Sequence, residues 1–131
     1  MNVVLDASAG IAAIVRRAAS VGVDEVLGRT KVVIAPDLYV AEACSGIWKY
    51  VLAGQLDVDD AVGRVTETLR LVDVWHPVAS FAEEALREAA DHRHSVYDMF
   101  YIVLARREQA TLLTLDNRMR ALAQAMNIPT V

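Results

Sequence analysis

Four carboxylates stand where the chain around them calls for apolar residues or plain surface. The run "TLLTLDNRM" (residues 111–119) is apolar and strand-like until Asp116 ends it, and "NVVLDAS" runs the same way into Asp6. Asp98 completes "SVYD" at the head of a helical pattern, and Glu42 lies just over one turn into another. Acids gathered in one place either hold a proton as a coupled set or share a cation. Two carboxylates about 4 Å apart repel by about 4 kcal/mol at an effective dielectric near 20. The only lysines are Lys31 and Lys49, and neither is locally placed to neutralise four charges. All-oxygen ligation selects a hard divalent ion, Mg²⁺ or Mn²⁺. Such ions keep waters and share phosphate oxygens with a substrate, so the chemistry these residues suit is phosphodiester hydrolysis.

Whether the four meet depends on the elements that carry them. β-branched or leucine-rich runs at residues 3–5, 31–35 and 111–115 predict buried strands. A weaker run at 72–75 ends before Pro77, and 128–131 reads as an edge strand. Helical patterns lie between. Pro36 opens one that closes at Gly54, a C′ glycine. Asp57 and Asp60 resemble a capping pair for the next, which runs to about Leu71. Residues 80–93 are amphipathic, with Phe81, Ala85, Leu86 and Ala89 on one face. Another helix runs from near Tyr97 to about Arg107, and the last spans 117–126. This alternation, with short connections, predicts a single α/β domain over residues 1–131, a sandwich about a mostly parallel sheet.

In such a sheet ligands collect at the carboxyl ends of the strands, where Asp6 and Asp116 fall directly. From Asp98 the helix descends about 14 Å, and the strand climbs back about 16 Å to Asp116, so the two share a level. Glu42 reaches the same edge because helical side chains tilt toward the N-terminus. Taken singly, each acid has a simpler explanation. Asp116 caps the last helix, Asp98 and Ser95 form a capping-box pattern, Asp6 or Ser8 opens the first helix, and Glu42 is a solvated helix residue. Caps do not predict four acids on one rim.

The rest of the chain narrows the field. With net charge −4 over 131 residues there is no global basic field to draw in nucleic acid. Hydrophobic residues make up 55% and mean hydropathy is +0.30, so a partner is expected to cover some apolar surface. The one cysteine, Cys44, allows no internal disulfide, and a reducing cytoplasm is the default. No apolar run is long enough for a membrane span, and Asp6 interrupts what would otherwise resemble a signal peptide. His92 and His94, two apart on a helix, point to different sides and do not make a histidine-pair ribonuclease. "DHRHS" reads as surface, His76 as a loop residue, and Trp48 and Tyr50 as core or interface. A phosphoacceptor domain would need paired acids after its first strand and a late lysine. There is no P-loop and no Gly-rich dinucleotide turn.

The segments "VVLDAS", "PDLYVAEACSGIWKYVLAGQL" and "YDMFYIVLARREQATLLTLD", with the C-terminal helix, resemble the PIN domain, and specifically the VapC-type toxin ribonucleases of toxin–antitoxin pairs. The resemblance runs end to end. It implies a three-layer α/β/α PIN-like fold and a Mg²⁺-dependent endoribonuclease with Asp6, Glu42, Asp98 and Asp116 as its acidic quartet. It also implies a small antitoxin that blocks the site, homodimerisation, and products with 5′-phosphate and 3′-hydroxyl ends. On this reading the acids hold the metal, and either Glu42 or Asp98 orients the attacking water. Thr114 matches a hydroxyl position near the family's site, and Arg118 and Arg120 are candidate RNA phosphate contacts. Ser45 stands where many relatives carry asparagine, and "NRMR" lacks a further acid, which weakens the case for a second metal. The alternatives are a free-standing PIN nuclease of RNA processing and a catalytically silent binding module.

Overall fold

The computed structural model describes residues 1–16 and 20–131. Four strands, β1 (Asn2–Leu5), β2 (Val32–Pro36), β3 (Val74–His76) and β4 (Thr111–Leu113), form one sheet in the order β3-β2-β1-β4. Every pairing is parallel. Central β1 has Val3, Val4 and Leu5 fully buried, which explains its unbroken apolar run: helices cover both faces.

Those helices are α1 (Ala7–Ile14), α2 (Val21–Arg29), α3 (Leu38–Leu52), α4 (Val58–Leu69), α5 (Ala82–His92), α6 (Val96–Arg107) and α7 (Asn117–Ala125). Helices α1, α3 and α4 pack on one another, with α2 against α1. Helix α6 lies along β1, β2 and β4, flanked by α5 and α7. The three-layer architecture is as expected. Tyr39 locks one outer layer: it is fully buried and its hydroxyl donates to the Thr68 carbonyl of α4 at 2.9 Å. A Cβ at Gly10 would run into the Tyr39 ring, so α1 can lie this close to α3 only with glycine there. Among the described residues no helix is long and apolar enough to cross a membrane.

Several boundaries differ from expectation. Strand β4 stops at Leu113, because Thr114 turns its hydroxyl toward Asp6 and Leu115 is exposed. Residues 128–131 give one parallel bridge, Leu112 with Thr130, and no edge strand. Pro36 closes β2 instead of opening a helix, with Asp37 at the N-cap of α3. Gly54 does take the left-handed conformation, at φ 74°, just past that helix. Asp57 caps α4 through the Asp60 amide, but the helix ends at Leu69. Leu86 is 64% exposed, because the buried stripe of α5 follows Phe81, Ala85 and Ala89 at strict four-residue steps. His76 ends β3 and is not a loop residue. Trp48, 53% exposed, is not core.

Candidate active site

The register of β1 against β4 sets the site. Leu5 stands opposite Leu113, so the next residues, Asp6 and Thr114, are neighbours, and the Asp6 amide donates to the Leu113 carbonyl at 3.0 Å. Thr114 is wholly buried and donates its hydroxyl to Asp6 Oδ2 at 2.7 Å. Ser8 donates to the same oxygen. Asp6 occupies the N-cap position of α1 without a side-chain capping bond, because these two hydroxyls engage its carboxylate. The Ser8 hydroxyl in turn accepts the Leu115 amide at 3.2 Å, and the Thr114 hydroxyl accepts the Asp116 amide at 3.0 Å.

Each remaining acid is held by a different device. Glu42, on α3, takes the Tyr101 hydroxyl of α6 on Oε1 at 2.5 Å. Asp98 Oδ2 lies 2.7 Å from His94 Nε2. Ser95 does cap α6, through the Tyr97 amide, while the Asp98 carboxylate that would complete a capping box faces His94. Asp116 is the N-cap of α7, its Oδ1 accepting the Arg118 and Met119 amides at 2.9 and 3.1 Å.

Electrostatics joins the four into one group. Asp6 is only 4% exposed. Burial raises its pKa, the Ser8 and Thr114 hydroxyls pull it partly back, and the charges of Asp98 and Asp116 raise it further. Burial likewise raises Glu42, the Tyr101 hydroxyl opposes this, and Asp6 and Asp98 add to the rise. Tyr101 is pushed far up by burial and by the charges of Asp6 and Glu42, so it remains a donor. The acids lie near enough to perturb one another across one rim, as the lengths of α6 and β4 require.

They are not a closed cage. Among the described residues no three His, Cys, Asp or Glu side chains are gathered tightly enough to hold an ion by themselves. The donor set still suits a hard divalent cation: carboxylate oxygens from Asp6, Glu42, Asp98 and Asp116, Asp6 buried beside like charges. Among the described residues the only ion pair any of the four makes is that of Asp98 with His94. Mg²⁺ and Mn²⁺ keep several waters and need few protein ligands, so an open arrangement fits them better than it would fit Ca²⁺.

Thr114, Arg118 and Arg120 fall in three different settings. Thr114 is inside, bonded to Asp6. The Arg120 guanidinium is bonded to the Thr114 carbonyl and to Asn117 Oδ1. Arg118 is exposed at the head of α7. Sequence reasoning missed Tyr101, His94 and the role of Ser8. Ser8 was within reach, two residues from Asp6, and His94 is four residues before Asp98. Tyr101 offered no signal, since its partner lies 59 positions away.

Comparison with known proteins gives the family. The PIN domain model matches residues 3–125, and the chain belongs to that family. Ribonuclease VapC3 of Pyrobaculum aerophilum is 28% identical over 131 residues, spanning 98% of this chain and 100% of the relative. The fold is shared with crystal structures at lower identity. VapBC2 from Rickettsia felis, bound to a DNA fragment from its promoter, gives a TM-score of 0.70 at 14% identity, over 100% of this chain and 98% of that one. Mycobacterium tuberculosis VapC20, a sarcin–ricin loop cleaving toxin, gives 0.70 at 18% identity, over 92% and 94%.

Proposed function

We propose that the chain is a Mg²⁺-dependent endoribonuclease, the toxin of a toxin–antitoxin pair, hydrolysing RNA phosphodiester bonds at the rim formed by Asp6, Glu42, Asp98 and Asp116. The observation that carries this reading is Asp6, a buried carboxylate facing two further acids and bonded to hydroxyls instead of a cationic side chain. Membership of the PIN family and a 28% identical relative named as a ribonuclease support it.

In this reading the chain's residues act in a fixed order of support. Thr114 and Ser8 hold Asp6, Tyr101 holds Glu42, and His94 holds Asp98, each through one carboxylate oxygen. The amides at the head of α7 hold Asp116. When bound, Mg²⁺, or Mn²⁺ in its place, neutralises the acids and makes an adjacent water acidic enough to attack a phosphodiester at neutral pH. Asp6, Glu42, Asp98 and Asp116 are the residues that would hold the ion, directly or through its waters, and Glu42 or Asp98 would orient the attacking water by accepting a hydrogen bond from it. Arg118 is free to meet an RNA phosphate, while Thr114 acts through Asp6 and Arg120 braces the turn into α7.

A small antitoxin, a homodimer and a cytoplasmic setting belong to the same proposal. An apolar groove between α3 and α4, about 330 Å³ and lined by Trp48, Val58 and Val62 among others, supplies surface for a partner to cover. The test is cleavage of total RNA with Mg²⁺ and with EDTA, mapping the new 5′ ends, for the parent and for Asp6→Asn and Asp98→Asn. Metal-dependent cuts lost in both folded variants are expected. If both cut as fast as the parent, the hydrolase reading fails.

A further inference from the structure

Helices α1 and α3 both leave the carboxyl edge of the sheet and pack against each other. Each carries a residue of the acid site near its head, and a base follows, Lys49 within α3 and Arg16 two residues past the end of α1. Arg16 follows Ser8 by eight residues and Lys49 follows Glu42 by seven. Seven residues are close to two helical turns, so Lys49 stands about 10 Å down α3 on the face of Glu42. Tyr50 is the next residue of α3.

An open cavity of about 440 Å³ lies between the two helices. Ser8 and Asp116 form one end, and Arg16, Lys49 and Tyr50 flank it. Its floor includes Gly46, whose missing side chain leaves the space that Ile11 Cδ1 occupies. A second concavity of about 290 Å³ shares Gly46, Lys49 and Tyr50 and continues to Gln55. The Gln55 and Leu56 amides donate to the Tyr50 carbonyl at 2.8 and 3.3 Å, which fixes that far end. The two concavities make one channel leading away from the acids.

Its cations are not committed elsewhere. Arg64, Arg87, Arg106 and Arg107 are paired with glutamates. Arg16 and Lys49 are exposed, and among the described residues neither is in an ion pair. A phosphodiester strand approaching four acids on a chain of net charge −4 is repelled, so local cations beside the site must hold it.

We propose that this channel binds single-stranded RNA: Arg16 and Lys49 contact backbone phosphates on one side of the cleaved bond, and Tyr50 stacks on a base. The ligand class rests on the nuclease reading above. An aromatic side chain beside two free cations matches the sequence-tolerant way of holding a single strand, by stacking with phosphate contact.

The test is fluorescence anisotropy of a labelled, mixed-sequence eight-nucleotide RNA on the full chain in EDTA, over a salt series. Each phosphate contact contributes about 0.7 to the slope of log affinity against log salt. Arg16→Ala and Lys49→Ala should each lower the slope by about 0.7, and the double variant by about 1.4. Arg16→Lys and Lys49→Arg should keep it. Tyr50→Ala should weaken binding about tenfold, with Tyr50→Phe close to the parent. The control is Arg29→Ala with Lys31→Ala, the same charge loss at the opposite edge of the sheet, and circular dichroism melts confirm each fold.

The channel is overturned if the parent does not bind, if the double variant keeps its slope, or if the control loses as much. A parent that cuts nothing while the slope falls as expected leaves the channel standing and removes the nuclease reading. A parent that cuts RNA while the double variant keeps its affinity and KM does the reverse.

Discussion

Thr114 and Asp6, 108 positions apart, are joined by a buried 2.7 Å hydrogen bond from the threonine hydroxyl to carboxylate Oδ2. The same hydroxyl accepts the Asp116 amide, so one side chain ties the acid after β1 to the acid before α7. Thr114→Val keeps the shape and removes both bonds. It should cost about 1–3 kcal/mol of stability, read as a shifted urea midpoint, and Thr114→Ser should recover most of it. A valine variant as stable as the parent would mean that Ser8 alone satisfies Asp6.

Asp6→Asn should abolish cleavage and, without divalent metal, make the protein more stable at neutral pH. The folded-state pKa of Asp6 lies above its unfolded value near 4. The folded chain therefore binds more protons in that window, and stability falls as pH rises from about 4 through the folded pKa, then levels off. Asparagine cannot ionise. The stability gap between variant and parent should widen from pH 4 to pH 8 and narrow when Mg²⁺ is added. Urea midpoints across that range check it, and a gap independent of pH would contradict it.

Tyr101→Phe removes the hydroxyl that holds Glu42. A half-buried carboxylate then loses its donor, so a loss of about 1–3 kcal/mol is expected. On the metal-nuclease reading, removing the partner that orients Glu42 should also lower activity or metal affinity by about 10- to 100-fold. Full activity in a folded Tyr101→Phe protein would show that Glu42 needs no such support.

His94→Ala removes the ring nitrogen that meets Asp98 Oδ2 at 2.7 Å. The side chain is 12% exposed, so the change is felt inside the rim and not in open solvent. The expected result is a 10- to 100-fold loss of cleavage, with more Mg²⁺ required for half-maximal rate. Titrating the rate against Mg²⁺ for parent and variant separates this from a general loss of fold.

The sequence showed more of the rim than of its supports. Asp6 and Asp116 are legible because each interrupts an apolar run, and Asp98 could be placed because helix and strand rises are nearly constant. Tyr101 sits in "DMFYIVLAR" as one more large residue, and nothing local shows that its hydroxyl meets a glutamate 59 positions back. The spacing of His92 and His94 says only that they point to different sides; Arg93 at φ 50° ends α5 between them, and His94 meets the residue four ahead. The 128–131 segment failed as a strand for a reason visible in hindsight: Pro129 has no N–H to give the ladder, and its carbonyl alone takes the Leu112 amide. Leu86 misled because apolar type alone does not say which side of a helix faces the core, and of the two readings of Trp48, core or interface, its exposure removes only the first.

The acids come from the end of β1, from α3, from α6 and from the cap of α7, so no fragment shorter than residues 6–116 carries the whole quartet. On the nuclease reading, a chain still emerging from the ribosome is harmless. It cannot threaten the message that encodes it until Asp116 has emerged, and trimming α7 away would strip that last acid of the two amides that hold it.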